Sequence, residues 1–148
     1  MISEAIFDCE TQKLFSEIST NDPADLGISI VSVYVRQVDD AQKELSGHMY
    51  SFWENELAGM WQHFANAKRI IGFNSMKFDV PALIHHAPPT FAKLPHFDIM
   101  QKVRDALGFS LGLNALATHS LGAQKTDIGT NAVTYWKSQD PEQLAKLK

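Results

Sequence analysis

The chain has 148 residues, 45% of them hydrophobic and 20% charged, which suits one globular domain with a real core. A formal net charge of −4 excludes the broad basic footprint of a general nucleic-acid binder, but not an enzyme that meets phosphate through a bound metal. The lone cysteine, Cys9, excludes an intrachain disulfide, and no basic-then-apolar leader or membrane-length apolar run is present, so an intracellular, non-membrane protein is expected.

Ile2 to Asp8 opens the chain as a short buried strand. A polar connection over residues 11–25 follows, carrying Leu14, Phe15 and Ile18. Leu26 to Arg36 is long and β-branched, which predicts a central strand. Val38 to Gly47 is polar and turn-like, and His48 to Trp53 predicts a third strand. Three strands joined by short polar connections suggest an antiparallel meander. From Glu54 the period changes. Leu57, Met60, Trp61, Phe64 and Ala65 are spaced three and four apart, which predicts an amphipathic helix.

Arg69 to Phe73 has the size of a buried fourth strand. Val80 to His86 predicts a helix with Pro81 in its first turn, stopped at Ala87-Pro88-Pro89. Leu94 to Asp98 predicts a fifth strand, and Ile99 to Leu107 a helix ending near Gly108. Further helices are predicted over Leu113 to Leu121, closed by Gly122, over Asn131 to Lys137 and over Pro141 to Lys148. The order gives an α/β fold with a mixed sheet of about five strands, the later ones needing crossover connections. There is no internal repeat, low-complexity segment or interdomain linker.

The chemistry gathers first at Ala5-Ile6-Phe7-Asp8-Cys9-Glu10-Thr11. In a strand, residues i and i+2 share a face, so Asp8 and Glu10 project together and Cys9 faces away. Two carboxylates at the end of a buried strand repel each other unless a cation neutralises them. Hard divalent ions such as Mg²⁺ suit carboxylate oxygens and substrate phosphate. A strand that simply ends in an acidic turn is the plainer alternative. After the fourth strand comes Gly72-Phe73-Asn74-Ser75-Met76-Lys77-Phe78-Asp79. Ligands of open α/β sheets bind outside strand ends, so Asp79 has a route towards Asp8 and Glu10. Alone, Asp79 reads as a helix N-cap and Asn74 as a turn residue. Cys9 reads as core on the far side of the strand, and His85-His86 as surface residues, because neighbours on a helix diverge by about 100°.

Together, Asp-x-Glu after an N-terminal strand and Asn-x-x-x-Phe-Asp after a later one resemble the RNase H-like 3′–5′ exonucleases of the DEDD superfamily. The branch is the one related to the exonuclease domain of family B DNA polymerases. Phe7-Asp8-Cys9-Glu10-Thr11 is similar to the first exonuclease motif, and Asn74 with Phe78-Asp79 to the second. Leu113-Asn114-Ala115-Leu116-Ala117, Leu121-Gly122, Lys125, Ala132-Val133 and Trp136-Lys137 resemble the helical stretch that follows in that branch.

The resemblance implies one RNase H-like domain over residues 1–148. It implies two divalent ions, Mg²⁺ or Mn²⁺, about 3.5–4 Å apart, releasing nucleoside monophosphates from the 3′ end of single-stranded DNA or RNA. Asp8 would bridge both ions, Glu10 would serve the nucleophile side, and Asp79 the second metal. Thr11, Leu14, Asn74 and Phe78 would meet the substrate. Phe78, Leu14 and Phe15 also have a plain core or flap reading. The family's third motif, a Tyr or His followed four or five residues later by an Asp, is not found. His119 is followed by Ala123 and Gln124, and Tyr135 by Gln139 and Asp140, with Pro141 next. Plus five rotates well away on a helix, so Tyr135 and Asp140 make a poor substitute. The expectation is that the chain stops one or two turns short of the third motif, with impaired turnover. Asp98 reads as a cap on the helix that follows it rather than a fourth ligand. The rival reading is a catalytically inactive module that binds nucleic acid or protein, and a third is an RNase H-like endonuclease. Membership of a replication or repair assembly, and a homo-oligomer, stay open.

Overall fold

The computed structural model describes residues 2–109, 112 and 129–145. Five strands form one sheet: β1 Ile2–Thr11, β2 Ile28–Val38, β3 Glu44–Trp53, β4 Arg69–Gly72 and β5 His96–Asp98. Their order is β3-β2-β1-β4-β5. β1 to β3 pair antiparallel, as the meander predicts, whereas β4 lies parallel to β1 and β5 parallel to β4. The helices are α1 Trp61–Ala65, α2 Asp79–Ala82, α3 Ile99–Leu107, α4 Gly129–Ser138 and α5 Pro141–Ala145. The mixed α/β sheet of five strands is therefore as expected. The predicted helix over Leu113 to Leu121, Gly122, Lys125, His119 with Ala123 and Gln124, and residues 146–148 lie outside the described residues.

The alternation of β1 sorts its side chains. Ala5, Phe7 and Cys9 are buried on one face, against Val31, Val33, Phe64, Ile70, Leu83 and Phe91. Phe7 meets the rings of Phe64 and Phe91 edge-on, at 5.3 and 6.2 Å between centroids. Edge-to-face contacts of this kind add to the area the rings bury. Glu4, Ile6, Asp8 and Glu10 take the opposite face. The β1–β2 register shifts between Glu10 and Thr11, leaving Ser29 of β2 as the extra residue. Bulges of this kind kink a strand and re-aim its side chains.

Three elements depart from expectation. β3 begins at Glu44, four residues before the predicted strand. Its first half is exposed and polar at the sheet edge, so no apolar alternation announces it. The helix predicted from Glu54 is a 3₁₀ helix over Glu54–Gly59 followed by the short α1. Leu57 and Met60, three apart, suit the tighter helix, and Met60 and Phe64, four apart, suit the α turn. All three are buried. The helix predicted over Val80 to His86 is regular only as α2. Beyond it, three-residue bonds from Ile84 N–H to Pro81 and from His86 N–H to Leu83 carry the chain in turns toward Pro88 and Pro89. By contrast α3 spans the predicted residues, with Gly108 left-handed at φ 81 as its C-cap.

Candidate active site

β1 delivers Asp8 and Glu10 to the end of the sheet, with Asp8 exposed and Glu10 half-buried. β4 ends beside them at Gly72. A Cβ on Gly72 would lie 2.5 Å from that of Ser75, so only glycine lets the chain fold back so closely. The turn that follows passes through Asn74, which adopts a left-handed φ of 56. It delivers Phe78 and then Asp79, the first residue of α2. Asp79 is 2% exposed. It does not cap the helix with its side chain. The cap position falls on Phe78, which makes no side-chain cap bond.

Burial is the main reason the Asp79 carboxyl is pushed up to about 9; the charges of Asp8, Glu10 and Asp98 raise it further. Asp8 and Glu10, expected from sequence to face Asp79, are thus near enough to raise its carboxyl. Among the described residues, no three His, Cys, Asp or Glu side chains already stand close enough to hold a metal ion. The Cys9 thiol is buried and raised well above its ordinary range, first by burial and then by Asp79, Asp8 and Glu10. It is a protonated core group, not a nucleophile.

A cleft of about 400 Å³ opens at the two carboxylates of β1. Asp8, Glu10, Thr11, Leu14 and Phe78 line it, bringing together five of the seven residues singled out from sequence. Asp79 and Asn74 are not in its wall. Phe15 is half exposed there and meets Phe78 edge-on at 6.1 Å between centroids. The Thr11 hydroxyl donates to the Lys13 carbonyl at 3.0 Å, and Lys13 N–H donates to the Leu26 carbonyl at 3.1 Å. Thr11 thus shapes the segment that carries Lys13, Leu14 and Phe15 along the cleft. Lys13, Leu26 and Val133 line the cleft without having been assigned to it from sequence. For Lys13, the available signal was a cation three residues after the Asp-x-Glu pair. Val133 reaches the cleft from α4, which an ion pair between Lys137 and Glu17 and the Trp53–Trp136 ring contact at 6.1 Å tie to the same end of the sheet.

Asp98 does what its position predicts. Its carboxylate accepts from Met100 and Gln101 N–H at 3.1 and 3.4 Å and so caps α3. It also accepts from Asn74 and Met76 N–H at 2.8 and 3.2 Å. Three N–H donors converge on Oδ1 and one on Oδ2, so the carboxylate is committed to backbone donors of the turn and of α3. Tyr135 lies within α4, whereas Gln139 is left-handed at φ 53 and Asp140 sits outside the helix, accepting from Glu142 N–H at the start of α5. The two residues therefore do not share one helix face. His85 and His86 are exposed, as expected.

Comparison with known proteins bears on the fold that carries this site. A family model of the RNase_H superfamily, RNase_H_2, matches residues 5–144. Among solved structures, the family B DNA polymerase from the hyperthermophilic archaeon Pyrobaculum calidifontis matches with a TM-score of 0.67 and 18% identity. The match covers 99% of this chain and 22% of the polymerase, so the chain spans about a fifth of that protein's length. At this identity the likeness is one of fold. No curated protein matches the sequence. Among the described residues, no helix is long and apolar enough to cross a membrane.

Proposed function

The chain belongs to the RNase H superfamily, and from that premise we propose that it is a metal-dependent 3′–5′ exonuclease acting on single-stranded nucleic-acid ends. One observation carries the reading. The two carboxylates of β1 line a cleft that Phe78 also walls, and the next residue, Asp79 at the start of α2, has its buried carboxyl raised to about 9 by burial first and then by Asp8, Glu10 and Asp98. A divalent cation reverses the sign of that effect, because it favours the ionised form of each group. The donors are hard carboxylate oxygens, which fit Mg²⁺ or Mn²⁺. Asp8, Glu10 and Asp79 would hold the ions. When bound, a divalent pair supplies Lewis-acid activation of water and neutralises charge on the departing oxygen.

The other residues bind and orient. The cleft is of the size that takes a small ligand such as one nucleotide. Phe78 and Phe15 offer aromatic surface to the terminal base, and Leu14 an apolar edge. Thr11 holds the segment that presents them. Lys13 places a cation where the strand's backbone phosphates would enter. Among the described residues, neither Asp98 nor Asp140 supplies a fourth carboxylate to Asp8, Glu10 and Asp79.

The test is mononucleotide release from a 5′-labelled single strand, as DNA and as RNA, with Mg²⁺ and then Mn²⁺. A ladder shortening from the 3′ end and lost in Asp8→Ala is the expected result. Internal cuts would move the reading to an endonuclease. A folded chain that binds the strand without cutting it would support the second reading, a non-catalytic binding module. That reading has its own observation: no three metal-ligating side chains among the described residues are already gathered.

A further inference from the structure

We propose that Asp98 is a positioning residue for Asp79, acting through the turn at residues 74–78 as well as capping α3. The inference rests on the nuclease reading for its consequence in turnover, but its geometry stands apart from that reading. Asp98 ends β5, in register with Gly72 at the end of β4. It is 4% exposed. One carboxylate oxygen takes the Asn74 N–H at 2.8 Å together with the two N–H groups of α3, and the other takes the Met76 N–H at 3.2 Å.

A helix cap needs one acceptor, which Ser or Asn supplies as well as Asp. The bonds to Asn74 and Met76 are additional, and they fall on the turn that leads to α2. Asn74 is left-handed there, a conformation that Asn enters more readily than most side-chain-bearing residues, and the bond from its N–H to Asp98 fixes the turn to β5. From this pinned turn, bonds run on to both sides of Asp79. Phe78 N–H donates to the Asn74 carbonyl at 3.0 Å, and Val80 N–H to the Ser75 carbonyl at 2.8 Å. The position of Asp79 against Asp8 and Glu10 is thus set from β5, through backbone N–H groups, by a carboxylate that lies outside the cleft wall.

The experiment is amide hydrogen exchange on the full chain, metal-free, comparing the parent with Asp98→Ser. Serine keeps the cap and lacks both the second oxygen and the reach to the loop. Amides of Asn74, Met76, Phe78 and Val80 should exchange at least about tenfold faster, while those of Val103 to Leu107 in α3 stay within about twofold. Unchanged exchange at 74–80 would overturn the proposal, as would equal loosening of α3, which is the mark of a cap alone. Should Asp98→Ser not fold, Asp98→Asn is measured in its place. Its amide turns an N–H towards Met76, so faster exchange at Met76 and Phe78 is expected, and parent-like exchange there overturns the idea. In the nuclease assay, turnover of the variant should fall about 10–100-fold, with KM for the strand within about twofold. Unchanged turnover overturns the positioning role. If the parent releases no mononucleotide, the nuclease reading fails, and the exchange data still decide what Asp98 holds.

Discussion

β1 handles carboxylates in opposite ways at its two ends. Near its start, Glu4 is fully buried and flanked by its register partners on both sides. The Glu4 carboxylate lies 2.7 Å from the Arg36 guanidinium and 3.3 Å from that of Arg69. Arg69 comes within ion-pair distance without hydrogen-bond alignment, since the facing Glu4 oxygen has no hydrogen-bond partner. Arg69 in turn stands over the Phe97 ring at 5.5 Å. Four residues after Glu4, Asp8 begins the other arrangement. There the buried partner, Asp79, feels three like charges, all of which raise its pKa. The same strand therefore shows what this fold does when a carboxylate is structural: it brings arginines alongside. At the far end, burial and three like charges favour the protonated form of Asp79.

This contrast yields expectations of decreasing size. The largest concerns the far end. Asp8→Ala should reduce mononucleotide release at least about a hundredfold, with a folded chain and little change in melting temperature. A variant that cuts normally would break the contrast, because Asp8 would then be only an acidic strand end. Next comes the near end. Glu4→Ala should destabilise the chain by about 2–3 kcal/mol in denaturant unfolding. The figure falls below the cost of fully stranding a buried charge because Arg36 and Arg69 keep 26% and 43% of their side-chain surface in water. A loss under about 0.5 kcal/mol would make Glu4 no more structural than a surface acid.

The third expectation sets the two ends against pH. The folded pKa of Asp79, about 9, lies above the ordinary carboxyl range. The folded chain keeps a proton that the unfolded chain has given up. Its contribution is therefore full below about pH 4 and is lost as pH climbs towards 9. Metal-free stability should fall steadily between pH 5 and 8 on this account, since across that window the folded chain holds one more proton than the unfolded one. Asp79→Asn should flatten that slope, and Mn²⁺ should stabilise the parent more at pH 8 than at pH 5. Denaturant titrations at the two pH values, with and without Mn²⁺, are the measurement. A slope that survives in Asp79→Asn would place its origin elsewhere.

The two ends also differ in how far they could be read from the chain. Asp8, Glu10 and Asp79 were legible because each stands at the edge of an apolar run, where a charge needs a reason. The strands themselves were legible for the same cause: β2 and β4 are β-branched and buried, so composition and burial speak together. Glu4 was not. It sits inside the apolar run, and its partners lie 32 and 65 residues away in sequence, brought opposite only by register. A charge within a predicted strand, matched by arginines within two others, was the signal available. The first half of β3 was hidden because an exposed edge strand needs no apolar face. Asp98 was half legible. Its cap over α3 is local and follows from spacing, whereas its hold on Asn74 and Met76 crosses 24 and 22 residues and has no local signature.

The smallest expected effect lies at the joint between sheet and site. Asn74 carries two readings: a turn residue, by its left-handed φ of 56, and a substrate contact, by resemblance. Its side chain does not line the cleft. Asn74→Gly suits the turn, because glycine enters the left-handed region freely, and stability should stay within about 0.5 kcal/mol of the parent. Asn74→Ala should cost about 1 kcal/mol, since the added strain has no local hydrogen bonding to offset it. Paired unfolding curves separate these two. Turnover then separates the readings. If Asn74→Gly is as stable as the parent and as active, the residue serves the turn that Asp98 pins. If it is as stable and several-fold slower, the amide meets the substrate once the strand is bound, and the cleft extends past the wall formed by Phe78.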